Sequence, residues 1–309
     1  MNTESSNQEE DIVIISLEDQ EGDSVSAESP SVSKGKPKTK YVILTIKDFI
    51  RYGAMSIFLM VFIVCLCLTI FYLKRYKDSA DIYEELKESV FENNNETTEY
   101  IDDDNVEYVF EIGNKIDFDT LLSINPDVTG WISIPTLGIE YPVVIGSDNQ
   151  FYLKHAYNLN ESYAGAIYMD CNSSRDWSDP RTIIYGHNMN DYDGTMFGNL
   201  PKYDKKSFFD KNNGKNFVYI YTPDGVRIYE IFAVTHSDFF KENIMFTINI
   251  PSAYSISELQ EHITKTAKYS TGITVDDDDT VLTLYTCITG NDEDVFRLVH
   301  TKYITTIKQ

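Results

Sequence analysis

From Tyr52 to Leu73 the chain carries no charged residue and is dense in Ile, Leu, Val, Phe and Met. No other feature restricts the fold so sharply. About 20 helical residues cross the ~30 Å hydrocarbon layer of a bilayer, so the run predicts a single transmembrane helix over 52–73. It is longer than the apolar part of a cleaved signal peptide, and no A-x-A-like site follows it. Lys34, Lys36, Lys38, Lys40, Lys47 and Arg51 precede the span, against Lys74, Arg75, Lys77 and Lys87 after it. This modest excess favours an N-terminus in the cytoplasm and the bulk of the chain outside the cell.

On the N-terminal side, residues 1–40 are rich in Ser, Glu and Asp and then in Lys. They hold too little apolar surface to offset chain entropy, so a largely disordered cytoplasmic tail is expected over 1–51. After the span, Ile82, Leu86 and Val90 recur at helical spacing between acids, which predicts a short amphipathic helix or stalk over Asp78–Glu92. Asn93 to Asn105 is acidic and Asn-rich, a linker pattern, so residues 74–115 form a stalk and linker in this reading. A second short helix is expected over Phe118–Ile124, ending before Asn125-Pro126.

From Gly130 onward the texture changes. Short β-rich runs occur at Trp131–Ile134, Tyr141–Ile145, Ala166–Met169, Thr182–Tyr185, Phe217–Tyr221, Arg227–Thr235, Val281–Tyr285 and Phe296–Ile304. Turn residues such as Pro223-Asp224-Gly225 separate most of them. Only Ser257–Tyr269 reads as a helix there, with Ser257 and Gln260 as its capping box. About eight strands and one helix in roughly 190 residues predict a mainly β fold, a closed or nearly closed β-barrel.

Composition narrows the function. The net charge of −23 argues against broad binding of nucleic acid, which needs a basic face. Acidic runs such as Asp276–Asp279 read as solvated surface, since no EF-hand-like spacing accompanies them. His155, His236, His262 and His300 show no metal-ligand spacing, so no metal and no cofactor is expected. Cys65 and Cys67 lie inside the apolar run, which leaves Cys171 and Cys287 for a soluble domain. Two cysteines make no disulfide framework.

Thr283-Leu284-Tyr285-Thr286-Cys287 is a β-type run that delivers a cysteine at its end, and a Gly-Asn-Asp turn follows at Gly290–Asp292. A cysteine at a strand mouth is held rigidly yet reachable. Arg297 opens the next strand, so a tight hairpin would bring it beside Cys287 to hold a carbonyl or its oxyanion. Tyr185-Gly186-His187-Asn188-Met189 also ends an apolar strand, and a histidine there can give and take protons near neutral pH. A free thiol titrates near 8.5, so nearby positive charge from His187 and Arg297 would favour the Cys287 thiolate. Taken alone, each of these signals is weak.

Together they resemble a known family. YGHNM (185–189), TLYTC (283–287) and FRLVHTK (296–302) look like the His, Cys and Arg blocks of sortases. GWISIPTLGIEYPVV (130–144), DNQFYL (148–153), AGAIYMD (164–170) and TMFGNL (195–200) resemble class B members of Gram-positive bacteria in particular. The resemblance covers about residues 116–309, the expected extracellular catalytic domain. It implies an eight-stranded sortase barrel with helices at its N-terminus and one inserted helix, which Ser257–Tyr269 fits. It further implies a cysteine transpeptidase that cuts a C-terminal sorting signal after Thr, holds the acyl part as a thioester, and passes it to an amine of the peptidoglycan precursor lipid II. Matched residue by residue, Cys287 is the nucleophile, His187 the general acid/base and Arg297 the stabiliser. Asn149, Leu153 and Thr286 fall where class B enzymes line the sorting-signal groove. Tyr285 and Ile288 flank the nucleophile at positions that vary in the family, so the preference between NPQTN-like and PXTG-like signals stays open.

Other readings fit less well. A papain-like protease places its Cys before its His, and an L,D-transpeptidase expects Gly where Thr286 stands. A catalytically inactive, membrane-tethered peptide-binding module would usually have lost Cys, His or Arg. Within the family resemblance, wall anchoring is preferred over pilin polymerisation.

Overall fold

The computed structural model describes residues 12–15, 42–92, 96–102, 105–189, 194–238, 255–287 and 295–308. The chain divides into two compact units, Met1–Leu73 and Lys74–Gln309. Helix α1, Ile46–Val90, begins in the first and ends in the second. Its uncharged stretch presents apolar side chains outward, with Phe58 75% exposed. A surface of this kind suits a hydrocarbon solvent better than water. Among the described residues this is the one helix long and apolar enough to cross a membrane. Within the expected tail, Ile12–Ile15 pairs antiparallel with Val42–Thr45; the rest of 1–41 lies outside the described residues.

The second unit is a closed barrel. Its strands are β1 (Val128–Ile134), β2 (Ile139–Ile145), β3 (Ile167–Met169), β4 (Arg181–Tyr185), β5 (Phe217–Thr222), β6 (Gly225–Asp238), β7 (Val281–Cys287) and β8 (Val295–Ile307). Their order around the barrel is β4-β7-β8-β6-β5-β1-β2-β3, closed by antiparallel pairing of β3 with β4. Closure leaves no open edge whose backbone groups would need another partner. Each of the eight runs expected from the sequence is a strand; seven extend by one to three residues at an end, and the run at Ala166–Met169 begins one residue later, at Ile167. Strand β1 is buried at every residue because both faces are covered, and Trp131 is wholly inside.

Part of that cover is the end of α1. Tyr83, Leu86 and Val90 are buried in the main core, and Ile82 packs against it. The Tyr83 hydroxyl donates to the Gly165 carbonyl at 2.8 Å, and its ring meets Tyr141 edge-on at 5.1 Å. The amphipathic pattern read at 78–92 is therefore a face docked on the barrel.

The following segment departs from expectation. Glu96–Ile101, read as linker, pairs with Glu107–Ile112 as a hairpin. Its β-prone Thr97, Thr98, Tyr100 and Ile101 find a partner strand anchored by wholly buried Phe110, which meets Phe217 edge-on at 5.1 Å. A partner supplied by tertiary packing outweighs an acidic, Asn-rich local composition. Helix α2 occupies Phe118–Ile124 as expected, capped by Asp117, whose side chain accepts from the Thr120 N–H at 3.0 Å.

Helix α3 spans Lys206–Lys211, and the inserted helix α4 spans Ile256–Thr266. The cap of α4 is Ser255 with Glu258, rather than Ser257 with Gln260. Both pairs have the right spacing. A carboxylate makes the stronger bond at a helix N-terminus, and the Ser257 N–H is already given to Asp277 at 2.8 Å. Ile256, Leu259 and Ile263 bury against Phe232, Ala233, Val275 and Val281.

One buried polar cluster crosses the sheet. His300 has its ring nitrogens 3.0 Å from the Thr235 hydroxyl and 3.1 Å from the Thr283 hydroxyl. Burial, reinforced by the charges of Arg181 and His262, pushes its imidazole down to about 3.

Two predictions follow from the packing. Leu86→Ala removes a buried side chain and should destabilise the barrel by about 2–5 kcal/mol, read as an earlier denaturant midpoint of the full chain in detergent. An unchanged midpoint would detach this helical face from the core. Because His300 stays neutral when folded but protonates near 6.5 when unfolded, its contribution is fully present above that pH and is lost as pH falls toward 3. Denaturant midpoints measured from pH 7 to pH 4 should therefore fall less steeply in a His300→Asn variant than in the parent. Equal slopes would contradict the neutral, buried imidazole.

Candidate active site

The site is organised by one parallel pair. Strands β4 and β7 run side by side in the register Arg181↔Val281 through Tyr185↔Tyr285. The Gly186 N–H continues the ladder to the Tyr285 carbonyl at 3.1 Å. Both strands thus run out at the same rim, one into Gly186-His187 and the other into Thr286-Cys287. Neighbouring strands lie about 4.8 Å apart. Strand β8 returns antiparallel on the far side of β7, with Thr286 opposite Arg297 and Cys287 opposite Phe296. Positions separated by some hundred residues along the chain become backbone neighbours.

Gly186 explains how the strand end can be covered. A Cβ there would stand 2.4 Å from Ile167 Cδ1 and 2.7 Å from the Phe197 ring. Glycine lets those two side chains close over the backbone, and the Phe197 N–H bonds the His187 carbonyl at 3.0 Å. The half-buried His187 imidazole is held by Nε2, 2.8 Å from the Leu153 carbonyl oxygen. A carbonyl only accepts, so Nε2 carries the hydrogen and Nδ1 is the nitrogen left to exchange a proton. His187 lines a cavity of about 530 Å³ together with Leu153, His155, Glu161, Tyr163 and Met189.

Arg297 is 4% exposed. Its Nε donates to Asp204 Oδ1 at 2.7 Å and its Nη2 to Oδ2 at 2.6 Å, a bidentate pair. His236, directly opposite Arg297 in the β6–β8 ladder, places Nε2 3.1 Å from the same Oδ1. Burial would raise the Asp204 carboxyl, but hydrogen bonds and charge from Arg297 and His236 outweigh it and hold the group well below the usual carboxylate range. Asp204 is a residue that sequence reading missed. It ends a short 3-10 turn, Leu200–Asp204, and no local motif marks a partner in β8.

The expected groove residues divide. Leu153 supplies the carbonyl that holds His187. The Thr286 hydroxyl donates to the Gly186 carbonyl at 2.8 Å, which ties the two strand ends together. Asn149 spends both ends of its amide locally, donating to Asp170 at 2.9 Å and accepting from the Cys171 N–H at 2.8 Å. Tyr285 is buried between Tyr185, 5.2 Å away edge-on, and Phe296, stacked at 4.9 Å. Tyr168 extends this aromatic row by stacking on Tyr185 at 5.1 Å. The Tyr185 hydroxyl donates to Asp170 at 2.8 Å, so the row joins the Asn149 loop. Ile288 lies outside the described residues.

Comparison with known proteins agrees with this architecture. The sortase domain family matches residues 132–302. Sortase B of Listeria monocytogenes is 31% identical over 179 residues, spanning 58% of this chain and 70% of the relative. Among solved structures, sortase B from B. anthracis in complex with AAEK1 has 26% identity and a TM-score of 0.57, over 76% of this chain and 99% of that one. A Streptococcus pyogenes class B sortase involved in pilus biogenesis has 28% identity and a TM-score of 0.53, over 61% and 98%.

The tight cover over Gly186 generates a prediction. Gly186→Ala forces Ile167 and Phe197 aside and should cost about 1–3 kcal/mol, measured as a lowered denaturant midpoint. A variant as stable as the parent would mean that the rim is looser than these contacts imply.

Proposed function

The chain belongs to the sortase family, and from that membership we propose that it is a class B cysteine transpeptidase with Cys287 as nucleophile, His187 as acid/base and Arg297 as stabiliser. The observation that supports this most is the parallel β4–β7 ladder, whose two ends lead directly into His187 and Cys287. In the proposed reaction the Cys287 thiolate attacks the carbonyl carbon of the sorting signal's Thr. The C–N bond then breaks, and the imidazolium of His187 gives its Nδ1 proton to the departing amine. The acyl part stays on sulfur as a thioester. An acceptor amine attacks that thioester, loses a proton to His187, and the thiolate leaves.

Arg297 donates a hydrogen bond to the carbonyl oxygen as it gains charge. Its own charge is largely balanced by Asp204, so His187 is the cation that favours the thiolate. Leu153, Tyr285, Thr286, Asn149 and Ile288 form the surroundings of the bound signal, the first three beside the strand ends. The substrates are secreted proteins with an NPQTN-like or PXTG-like signal, and the acceptor is lipid II. The 52–73 segment anchors the enzyme in the cell membrane with its N-terminus inside and residues 116–309 outside. Tethering enzyme and lipid-linked acceptor to one surface raises their effective concentration without new contacts. Similarity to a class B sortase of pilus biogenesis supports pilin polymerisation as the second reading, which differs only in the acceptor amine.

The test uses the full chain in detergent with NPQTN-like and PXTG-like peptides, with hydroxylamine as a thioester trap and mass readout. Cleavage after Thr with a hydroxamate product is expected, abolished in Cys287→Ala and lowered by about 10²–10⁴-fold in His187→Ala. A lysine-bearing acceptor peptide that outcompetes a glycine-based amine would favour the pilin reading. Cleavage that survives Cys287→Ala, or a folded protein inert on every peptide, would count against the assignment.

A further inference from the structure

Arg297 carries five N–H groups, and the structure uses them unequally. Its Nε and Nη2 meet the two oxygens of Asp204 at 2.7 and 2.6 Å. Its Nη1 is buried and has no hydrogen-bond partner among the described residues. The side chain is only 5% exposed. A buried donor left unpaired is unfavourable, and an acceptor carried by a ligand would satisfy it.

The carboxylate that holds the other edge stands on a firm support. The turn Leu200–Asp204 has Pro201 in its first positions and buries Leu200 and Tyr203. The Tyr203 carbonyl accepts from the Tyr269 hydroxyl at 2.7 Å, and the Tyr203 hydroxyl reaches Asn216 Oδ1 at 3.2 Å. His236 donates to the same Asp204 oxygen from the neighbouring strand at 3.1 Å. Asp204 therefore connects the segment that follows His187 with the strand that bears Arg297.

We propose that Asp204 is a positioning residue for Arg297: it fixes the guanidinium by its Nε–Nη2 edge so that Nη1 is the donor offered to the substrate carbonyl. This rests on the role given to Arg297 under the proposed function. A free arginine side chain samples many rotamers, whereas one held beforehand needs no reordering when charge develops on the carbonyl oxygen. Balanced by Asp204, the guanidinium acts as an aimed N–H more than as a net charge. Removing the carboxylate keeps the cation and loses its aim, so the chemical step should suffer more than binding. An ion pair that only staples the turn to the sheet would lower the unfolding midpoint and leave kcat of the folded enzyme unchanged.

The experiment is a double-mutant cycle on the full chain in detergent, with Asp204→Asn, Arg297→Ala and the double variant. Cleavage of the signal peptides gives kcat and KM, and circular dichroism gives the unfolding midpoint. Asp204→Asn should lower kcat by on the order of 10²-fold and leave KM nearly unchanged. In the Arg297→Ala background it should add almost nothing, and Asp204→Glu should restore part of the loss. Parental kcat in a folded Asp204→Asn, or a loss that multiplies independently with that of Arg297→Ala, would overturn the proposal. Should Asp204→Asn fail to fold, Asp204→Ser carries the same cycle: a lower kcat only when Arg297 is present supports the clamp, and an unchanged kcat overturns it. An Arg297→Ala variant with parental kcat would remove the role of Arg297 itself, which defeats the functional reading and this proposal with it.

Discussion

Parallel pairing of β4 with β7 is the constraint from which the rest of the site follows. Two strands about a hundred residues apart share one buried ladder, so their register is fixed by backbone hydrogen bonds that cannot slip without exposing apolar faces. A parallel neighbour requires a crossover, and the intervening chain supplies it with the turn at Leu200–Asp204, α3, β5, β6 and α4. Two elements of that crossover, β5 and β6, are themselves strands of the closed barrel, and its rim inherits whatever the strand ends carry.

The second layer of the design is the immobilisation of side chains by their neighbours. His187 is pinned by a main-chain carbonyl, which selects its tautomer. Arg297 is pinned by a carboxylate, which selects its free nitrogen. Gly186 permits Ile167 and Phe197 to seal the backbone behind the imidazole. Tyr285 and Phe296 occupy one face of the β7–β8 hairpin, while Thr286 and Arg297 pair on the alternate face. Pleat alternation thus separates an aromatic wall from a polar clamp within two residues.

The sequence was most readable where a pattern is local. All eight barrel runs alternate or cluster in β-prone residues between turn signals, and the uncharged stretch at 52–73 needs no context. It was less readable where a partner decides the outcome. Glu96–Ile101 becomes a strand because Phe110 anchors its mate, and α4 is capped by Ser255 because Asp277 claims the Ser257 N–H. The strings around His187 and Cys287 were visible as strand ends, but their adjacency depends on a parallel register that no spacing encodes. Asp204 left no trace at all. Its partner lies 93 residues away, and Lys202-Tyr203-Asp204-Lys205 looks like ordinary solvated surface.

The central claim is that positions 187 and 287 sit side by side at the end of the parallel pair. Disulfides form between Cα atoms about 4.4–6.8 Å apart, which matches adjacent strands. The most direct measurement is mild oxidation of a His187→Cys variant of the full chain, followed by mass mapping of its disulfides. The account predicts a bridge between position 187 and Cys287 in most molecules, with Cys171 left free. A thiol at position 187 that stays reduced, or that joins only Cys171, would contradict it.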